Sequence, residues 1–492
     1  MKRRPELALL MLALGGCSLA PAYKVPEVPV AEQYQEHGAA LGKSWVEAQP
    51  ADHLPRDGWW KLYGDTQLDQ LQQRLLANNT DLAAALAHYQ QAQAYSMQAR
   101  AGLFPQIGAN ANVQRDRQSD TRPLRGATSP AYYDSYTLGA ELDYELDLWG
   151  RVRNTVEAGK DDALAAAADL ASARLSLQAQ LADNYIVLRG LDQQIQLLKD
   201  SVRAYEKALE LTKTRHGGGI ASGLDVARAQ TQLSSAKSMW SQTLAQRAMA
   251  EHAIAVLVGE SASKFSLTPE TRALPLPSVP VSLPSTLLQR RPDVAAAERR
   301  TAAANARIGV ARAAYFPSLS LSALGGYQSA ESAGLLTAPN RFWAIGPTAL
   351  LTIFDGGRRK AGVEAAKAAT DEAGARYRGV VLAAFQQVED NLAQLDHYGT
   401  ARSDQKDAAE AAAHSLDLAM DRYKQGAVGY LDVVQAQTVS LDAQRSLLDL
   451  DTRQLRASVQ LVRALGGGWS TDQLAGASTR SATPATGSQG AP

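Results

Sequence analysis

Cys17 ends the string Leu14-Gly15-Gly16-Cys17 and is the only thiol in the 492-residue chain. Lys2, Arg3 and Arg4 stand ahead of it, followed by an apolar run from Leu7 to Leu14. Basic, then apolar, then small is the order of a secretory signal, here residues 1–17. The run is about half the length a helix needs to span a bilayer, which excludes a transmembrane anchor. A cysteine directly after small residues looks like a bacterial lipobox, so the expected chemistry is lipidation of the thiol, with the mature chain beginning at Cys17. The alternative is an ordinary signal peptide with a chance cysteine. Ser18 stands where an acid would signal inner-membrane retention, and so favours the outer membrane. With Cys17 lipidated no disulfide can form, and an exported chain must then be held by packing or oligomerisation. Other chemistry finds no support. His37, His53, His88, His216, His252, His397 and His414 are scattered without metal-ligand or His-Glu-x-x-His spacing. No Gly-x-Ser-x-Gly elbow occurs. No enzyme, cofactor or metal is expected. Basic and acidic residues balance at 50 each, which argues against a nucleic-acid partner.

Two other constellations have telling spacing. Arg215-His216-Gly217-Gly218-Gly219 precedes Leu224-Asp225-Val226, and Arg422-Tyr423-Lys424-Gln425-Gly426 precedes Leu431-Asp432-Val433. Glycine ends a helix in a left-handed turn, arginine suits its last turn, and aspartate suits the start of the next helix. That is a complete structural reading by itself. The glycines are not a nucleotide loop, since no strand precedes them and no Gly-Lys-Ser/Thr follows. Glu141, Asp143, Glu145 and Asp147 fall at every second position, on one face of a strand. They form either a general wet face or a ring of carboxylates favouring cations.

The elements that position these residues come in two similar halves. Ala99 to Pro105 recurs as Ala311 to Pro317, 212 positions on. Trp149-Gly150-Arg151 recurs as Gly356-Gly357-Arg358, and the Arg215 to Gln230 pattern recurs at Arg422 to Gln437, both 207 positions on. The halves are expected at 56–270 and 271–469, after an extended Pro-rich lead (18–55) and before a Ser/Thr/Ala/Gly-rich disordered tail (470–492). Each reads as helix, strand, strand, long helix, turn, helix. Ala/Gln/Leu-rich sequence predicts helix from Thr66 to Leu103, stopped by Pro105. Period-two alternation then predicts strands at about 104–115, 136–148, 316–328 and 342–354, with Pro347 a blemish in the last. Proline-free stretches predict helices of about 65 residues, each roughly 100 Å long, from Arg151 to about His216 and from Arg358 to about Lys424. Leu224 to Val258 and Leu431 to Leu465 return at half that length. So does Thr286 to Tyr315, and two half-length helices could stack beside each long one. Trp59 and Trp60 start the ordered body.

Strands of about ten residues with one apolar and one polar face fit a tilted membrane crossing, or a soluble hairpin with one solvated face. Four cannot close a barrel, and an open edge in lipid leaves backbone groups unsatisfied. The strands are therefore expected to be shared between copies. Two copies would make a barrel filled by its own side chains, whereas three would leave a lumen suited to the acidic series. Helices alone are also compatible with a solid coiled-coil bundle.

The chain resembles the TolC-like outer-membrane efflux factors, in their NodT-type lipoprotein branch. The most specific residues are Leu283-Pro284-Ser285, Leu288, Arg290-Arg291-Pro292-Asp293-Val294, Ala297-Glu298-Arg299 and Ala306-Arg307-Ile308-Gly309, with Ala314-Tyr315-Phe316-Pro317. Glu145 to Arg151, Phe354-Asp355-Gly356-Gly357-Arg358 and Leu465-Gly466-Gly467-Gly468-Trp469 complete it. The resemblance spans about residues 55 to 470. It implies a mainly α fold with a membrane β-barrel: a homotrimeric channel-tunnel with four strands per chain in a shared twelve-stranded barrel, continued by a periplasmic α-helical barrel. It implies a passive exit for small toxic compounds, joined by a periplasmic membrane-fusion adaptor to an inner-membrane, commonly proton-driven transporter. Arg215, Gly219, Asp225, Arg422, Gly426 and Asp432 become adaptor-contact or tip-geometry positions. Tyr423, Tyr430 and Leu431 either narrow the closed pore or pack between helices. Where related sequences continue with Asp-Ala-Gln-Arg, this chain has Gln435-Ala436-Gln437-Thr438, so closure is expected from apolar and tyrosine packing in place of an ionic latch. The same fold could serve polypeptide secretion, and a non-porous coiled-coil lipoprotein is the remaining alternative.

Overall fold

The computed structural model describes residues 18–28, 34–37, 58–119, 121, 130–277 and 290–467. Cys17, most of the expected lead and the expected tail lie outside these. The described residues group into two compact units that cut across the sequence halves. One holds 89–166, 297–377 and the lead up to Pro26; the other holds 58–88, 167–296 and 378 onward. The grouping differs from the sequence halves because the long helices contribute residues to both units.

The first unit contains one antiparallel sheet in the order β1 (Gln106–Arg117), β2 (Tyr132–Glu145), β3 (Ser318–Ser329), β4 (Arg341–Leu350). Its register carries the alternation across all four strands. Ile107, Leu142, Ala323 and Ile345 stand in one row, and Ala109, Ala140, Gly325 and Trp343 in the next, so one face is apolar. Gln106, Asp143, Ser322 and Gly346 lie in a row of the other face. Trp343 is 78% exposed on the apolar face. Gly326 is required by close approach, because a Cβ there would lie 2.2 Å from the Leu138 carbonyl oxygen. Pro347 sits on edge strand β4, where a missing ladder bond is tolerated. β2 starts earlier than its alternation suggests, since Tyr132 and Asp134 pair with Arg117 and Arg115. β4 stops at Leu350 although the apolar alternation continues to Ile353, because β3 begins opposite it at Ser318.

In the same unit the lead lies along α5 (Pro292–Ala313). Arg312 donates to the Leu19 carbonyl at 3.1 Å, Asn305 to that of Pro21 at 2.8 Å, and Tyr23 to the Glu298 carboxylate at 2.8 Å. Ser18 donates to Asn154 at 2.9 Å.

The second unit is helical. The helix expected from Thr66 to Leu103 is broken into α1 (Thr66–Asn78) and α2 (Thr80–Ala101). Asn79 is extended. Its Oδ1 accepts from the Leu82 amide at 2.8 Å, capping α2, and its Nδ2 donates to the Leu257 carbonyl at 2.9 Å. The long helices are α3 (Arg151–Gly217) and α6 (Arg358–Lys424), and the return helices are α4 (Gly223–Leu257) and α7 (Tyr430–Ala464). Every bound of the second pair stands 207 positions after its counterpart in the first.

The signature Arg291-Pro292-Asp293 is structural. Pro292 opens α5, while Arg291 donates to the Ala464 carbonyl at the end of α7 (3.0 Å) and to Gln387 (2.9 Å), and its Nε holds Asp293 at 3.0 Å. Gly466 then needs a positive φ of 89°, and a Cβ on it would meet the Arg290 carbonyl at 2.1 Å. Gly259, at the end of α4, is the same device against the Asn78 carbonyl, at 2.4 Å. The core nearby includes Leu68, Leu71, Leu75, Leu181 and Ile186. Tyr185, bonded to Asp65 at 3.0 Å, accepts from the buried Arg189 at 3.0 Å. Arg189 also binds Glu270 at 2.6 Å, so its charge is compensated within the packing.

Candidate functional site at the helical hairpin tips

The turns joining α3 to α4 and α6 to α7 share one motif. Ile220 donates to the Arg215 carbonyl (2.8 Å) and Gly219 to that of His216 (2.9 Å). Ala427 donates to the Arg422 carbonyl and Gly426 to that of Tyr423, both at 2.9 Å. These bond pairs satisfy the last helical carbonyls, and the glycines supply the left-handed residue with φ of 76° and 79°. Gly219 and Gly426 are thus tip-geometry residues in both hairpins.

The arginines diverge. Arg215 reaches from the first hairpin to the second. Its Nη1 donates to the Tyr423 carbonyl at 2.7 Å and sits 3.3 Å from that of Lys424, while its guanidinium lies 4.7 Å from the Tyr423 ring centroid. A cation over a ring and on two carbonyls at a helix C-terminus ties the tips together. Arg422 is exposed, and among the described residues its side chain has no hydrogen bond or ion pair.

The acids diverge in the same sense. Asp225 forms a capping box with Ser222, in which the Ser222 amide donates to Asp225 Oδ2 at 3.2 Å and the Asp225 amide to Ser222 Oγ at 3.2 Å. Arg228 stands 3.5 Å from its other oxygen. In the second hairpin the cap is Gly429, without a side-chain bond, and Asp432 is exposed and unpaired among the described residues.

Of the two expected readings, Tyr423 and Tyr430 here take the packing one, inside the hairpins. They are 4% and 2% exposed and meet edge-to-face at 5.2 Å, and the Tyr423 hydroxyl donates to Thr212 at 3.3 Å. Around them lie Leu198, Val202, Tyr205, Leu209, Val433 and Leu441. Burial pushes the Tyr430 hydroxyl up to about 12, so the ring is neutral. Leu431, by contrast, is 44% exposed. Gln435 is exposed, and Thr438 accepts from Gln232 at 3.3 Å, without an ionic partner. Sequence reasoning missed Thr212 and Leu211 as parts of this seam. Aligning the two halves further upstream would have found Leu211, since its spacing to Arg215 recurs at Leu418 and Arg422, but not Thr212, whose counterpart is Ala419.

The acidic series divides into two pairs. Glu145 is held by Arg151 (Nε to Oε1, 2.6 Å). Asp147 lies beyond the strand and caps α3, accepting from the Val152 and Arg153 amides at 3.1 and 2.8 Å and from Arg153 Nε at 3.2 Å. These two acids join strand to helix. Glu141 and Asp143 remain exposed on the polar face, with Asp143 accepting from Ser322 at 2.7 Å.

A family model described as outer membrane efflux protein matches residues 71–260 and 283–467. The chain is 35% identical over 466 residues to the probable efflux pump outer membrane protein TtgC of Pseudomonas putida, covering 94% of this chain and 95% of that one. It is 34% identical over 464 residues to the outer membrane protein OprJ of Pseudomonas aeruginosa, with the same coverage. A solved membrane protein from Pseudomonas aeruginosa superimposes with a TM-score of 0.82 at 33% identity, over 92% of this chain and 98% of the other.

Proposed function

The chain belongs to the outer membrane efflux protein family, and from that membership we propose that it is the passive outer-membrane exit of a tripartite pump. It would be anchored by a lipid on Cys17 and assembled from three copies. The observation that carries this reading is the sheet, with one continuous apolar face and two unpaired edge strands, β1 and β4. In lipid such edges leave amide and carbonyl groups unsatisfied at several kcal/mol each, and joining β4 of one copy to β1 of the next removes them. Three copies give twelve strands and a wet lumen faced by Glu141 and Asp143; two would pack those carboxylates into a filled interior. Among the described residues no helix is long and apolar enough to cross a membrane, so in this reading the strands make the crossing.

The hairpin tips face a periplasmic adaptor, which links the duct to an inner-membrane transporter, here taken as proton-driven. Of the expected contact positions, Arg422, Asp432, Gly219 and Gly426 are exposed and available to it. The cargo is small toxic compounds, and the duct does no chemistry of its own. Deletion of the gene tests this. The deletion strain is expected to become more sensitive to a panel of solvents, dyes and antibiotics, with resistance restored by the wild-type chain. Unchanged sensitivity together with loss of a secreted polypeptide would move the reading to protein export. Trimers that conduct no ions, even in tip-loosened variants, would move it to a non-porous lipoprotein.

A further inference from the structure

Away from the tips, α3, α4 and α7 bound a cavity of about 460 Å³ that the hairpin seam does not fill. That is within the size range of small-molecule sites. Val187, Gly190 and Leu191 of α3 line one side of it, and Gln246 of α4 lines another. Its charged groups all come from α7, and half of them are committed elsewhere. Arg456 grips Asp183 with two nitrogens, at 2.8 and 3.1 Å, and Asp449 holds Arg453 at 2.7 Å. Arg445 and Asp442 are left, three positions apart on the helix, a spacing that commonly makes an ion pair. Here none forms. Arg445 Nη1 donates only to the Met239 sulfur, a weak acceptor, at 3.4 Å, and its Nε is buried with no acceptor. Asp442 is exposed and has no hydrogen bond or ion pair among the described residues. Arg247, which follows Gln246, does not serve it, being held by Asp192 at 2.7 Å and Glu251 at 3.0 Å.

We infer that this cavity binds a small zwitterion of the amino-acid or dipeptide class. The ligand carboxylate takes the N–H groups of Arg445 that have no acceptor, and the ligand ammonium sits against Asp442. Its aliphatic part lies on Val187 and Leu191, with Gln194 and Gln246 at hand for an amide group. Charge complementarity selects this class. A simple anion would answer Arg445 but meet the uncompensated carboxylate of Asp442, and a simple cation would meet the reverse penalty. Only a ligand carrying both charges supplies each side chain with the partner it lacks, and gives the buried Nε the acceptor whose absence is costly.

Saturation-transfer NMR on the full chain purified in detergent tests this. The probe is L-alanyl-L-leucine, titrated beside its N-acetyl form, which keeps only the negative charge, and its C-terminal amide, which keeps only the positive one. Capping either end is expected to weaken binding about tenfold, as loss of one charge-assisted hydrogen bond does. Two variants then separate recognition from packing. Asp442→Asn should weaken the zwitterion but not the N-acetyl form, and Arg445→Gln should weaken the zwitterion but not the amide. A merely structural effect would weaken all three probes alike. Asp442 is exposed, so its variant keeps the test decisive even where Arg445→Gln disturbs the packing around Met239. Equal binding of the three probes, or zwitterion binding unchanged in Asp442→Asn, would overturn the inference. So would the absence of saturable transfer, the result expected where a second copy of the chain covers the cavity.

Discussion

Truncating Arg215 would take one donor from the Tyr423 carbonyl and uncover a face of its ring. A charge-assisted hydrogen bond contributes about 1.5–3 kcal/mol and an exposed cation–π contact about 0.5–1 kcal/mol. Because Arg215 is half-exposed, the lower end applies, and Arg215→Ala is expected to speed hydrogen exchange of the amides from Lys424 to Ala427 about tenfold. Arg215→Lys keeps the charge but loses the flat fork, and recovers only part of the protection. Tyr423 tells a second story. Tyr423→Phe loses a long 3.3 Å bond to Thr212 and is expected to cost under about 1 kcal/mol, whereas Tyr423→Ala empties a packed site and costs about 3–5 kcal/mol in the tip's local stability. A conductance rise in Tyr423→Ala would thus report a loosened seam, with no plug removed from a pore. The residue types were legible in the sequence, but their direction was not. A helix packed on several sides has no single polar stripe, so an aromatic beside a turn reads equally as plug or core. The alternation placed Asp147 on a wet face, although Arg151 and Arg153 shortly downstream already marked it as a cap for α3.

Among the elements, those bounded by glycine or proline were the most legible. The ends of α3, α4, α6 and α7 sit where left-handed glycines or a short cap force them. The break at Asn79 was legible but missed: Asn78-Asn79-Thr80-Asp81 interrupts the good helix formers to either side, and the capping chemistry of Asn79 separates α1 from α2. The sharpest difference between the repeated hairpins is the start of the return helix, capped by Ser222 in α4 and by bare Gly429 in α7. A Cβ at Gly429 meets nothing within 4 Å, and its backbone is already extended, so Gly429→Ser can recreate the Ser222–Asp225 box with Asp432. Replacing a glycine cap by serine is worth a few tenths of a kcal/mol, and the reciprocal bond to Asp432 adds to it, for about 0.5–1 kcal/mol in all. Slower hydrogen exchange over Tyr430 to Val433 would register the gain. The same variant commits Asp432 to its own helix. If that carboxylate serves the adaptor, resistance should fall although the tip is more stable; unchanged resistance would remove Asp432 from the adaptor surface.

For the whole molecule, the sheet is the part a single copy cannot satisfy. Sequence alternation located the four strands and their two faces because both lipid and water impose a period of two. It could not say which copy supplies the next strand, because edge pairing uses backbone groups that every sequence shares. The face assignment has a direct test. Ala140, in the middle of β2, lies in the apolar row with Ala109, Gly325 and Trp343, while Asn110 of β1 lies opposite Gly139 on the other face. A guanidinium on a lipid-facing site near the bilayer midplane costs about 2–4 kcal/mol, whereas a lumen-facing one is solvated. In the proposed trimer that cost is met three times in one assembly, so Ala140→Arg should sharply reduce outer-membrane trimers, seen as loss of the heat-modifiable species in extracts. Asn110→Arg should assemble normally and, placed near Glu141 on the lumen side, shift the reversal potential of the open channel toward anions. The opposite outcome, with Ala140→Arg tolerated and Asn110→Arg lost, would turn the barrel inside out. Equal tolerance of both would mean that neither face meets lipid, as in a soluble sheet at the end of a helical rod.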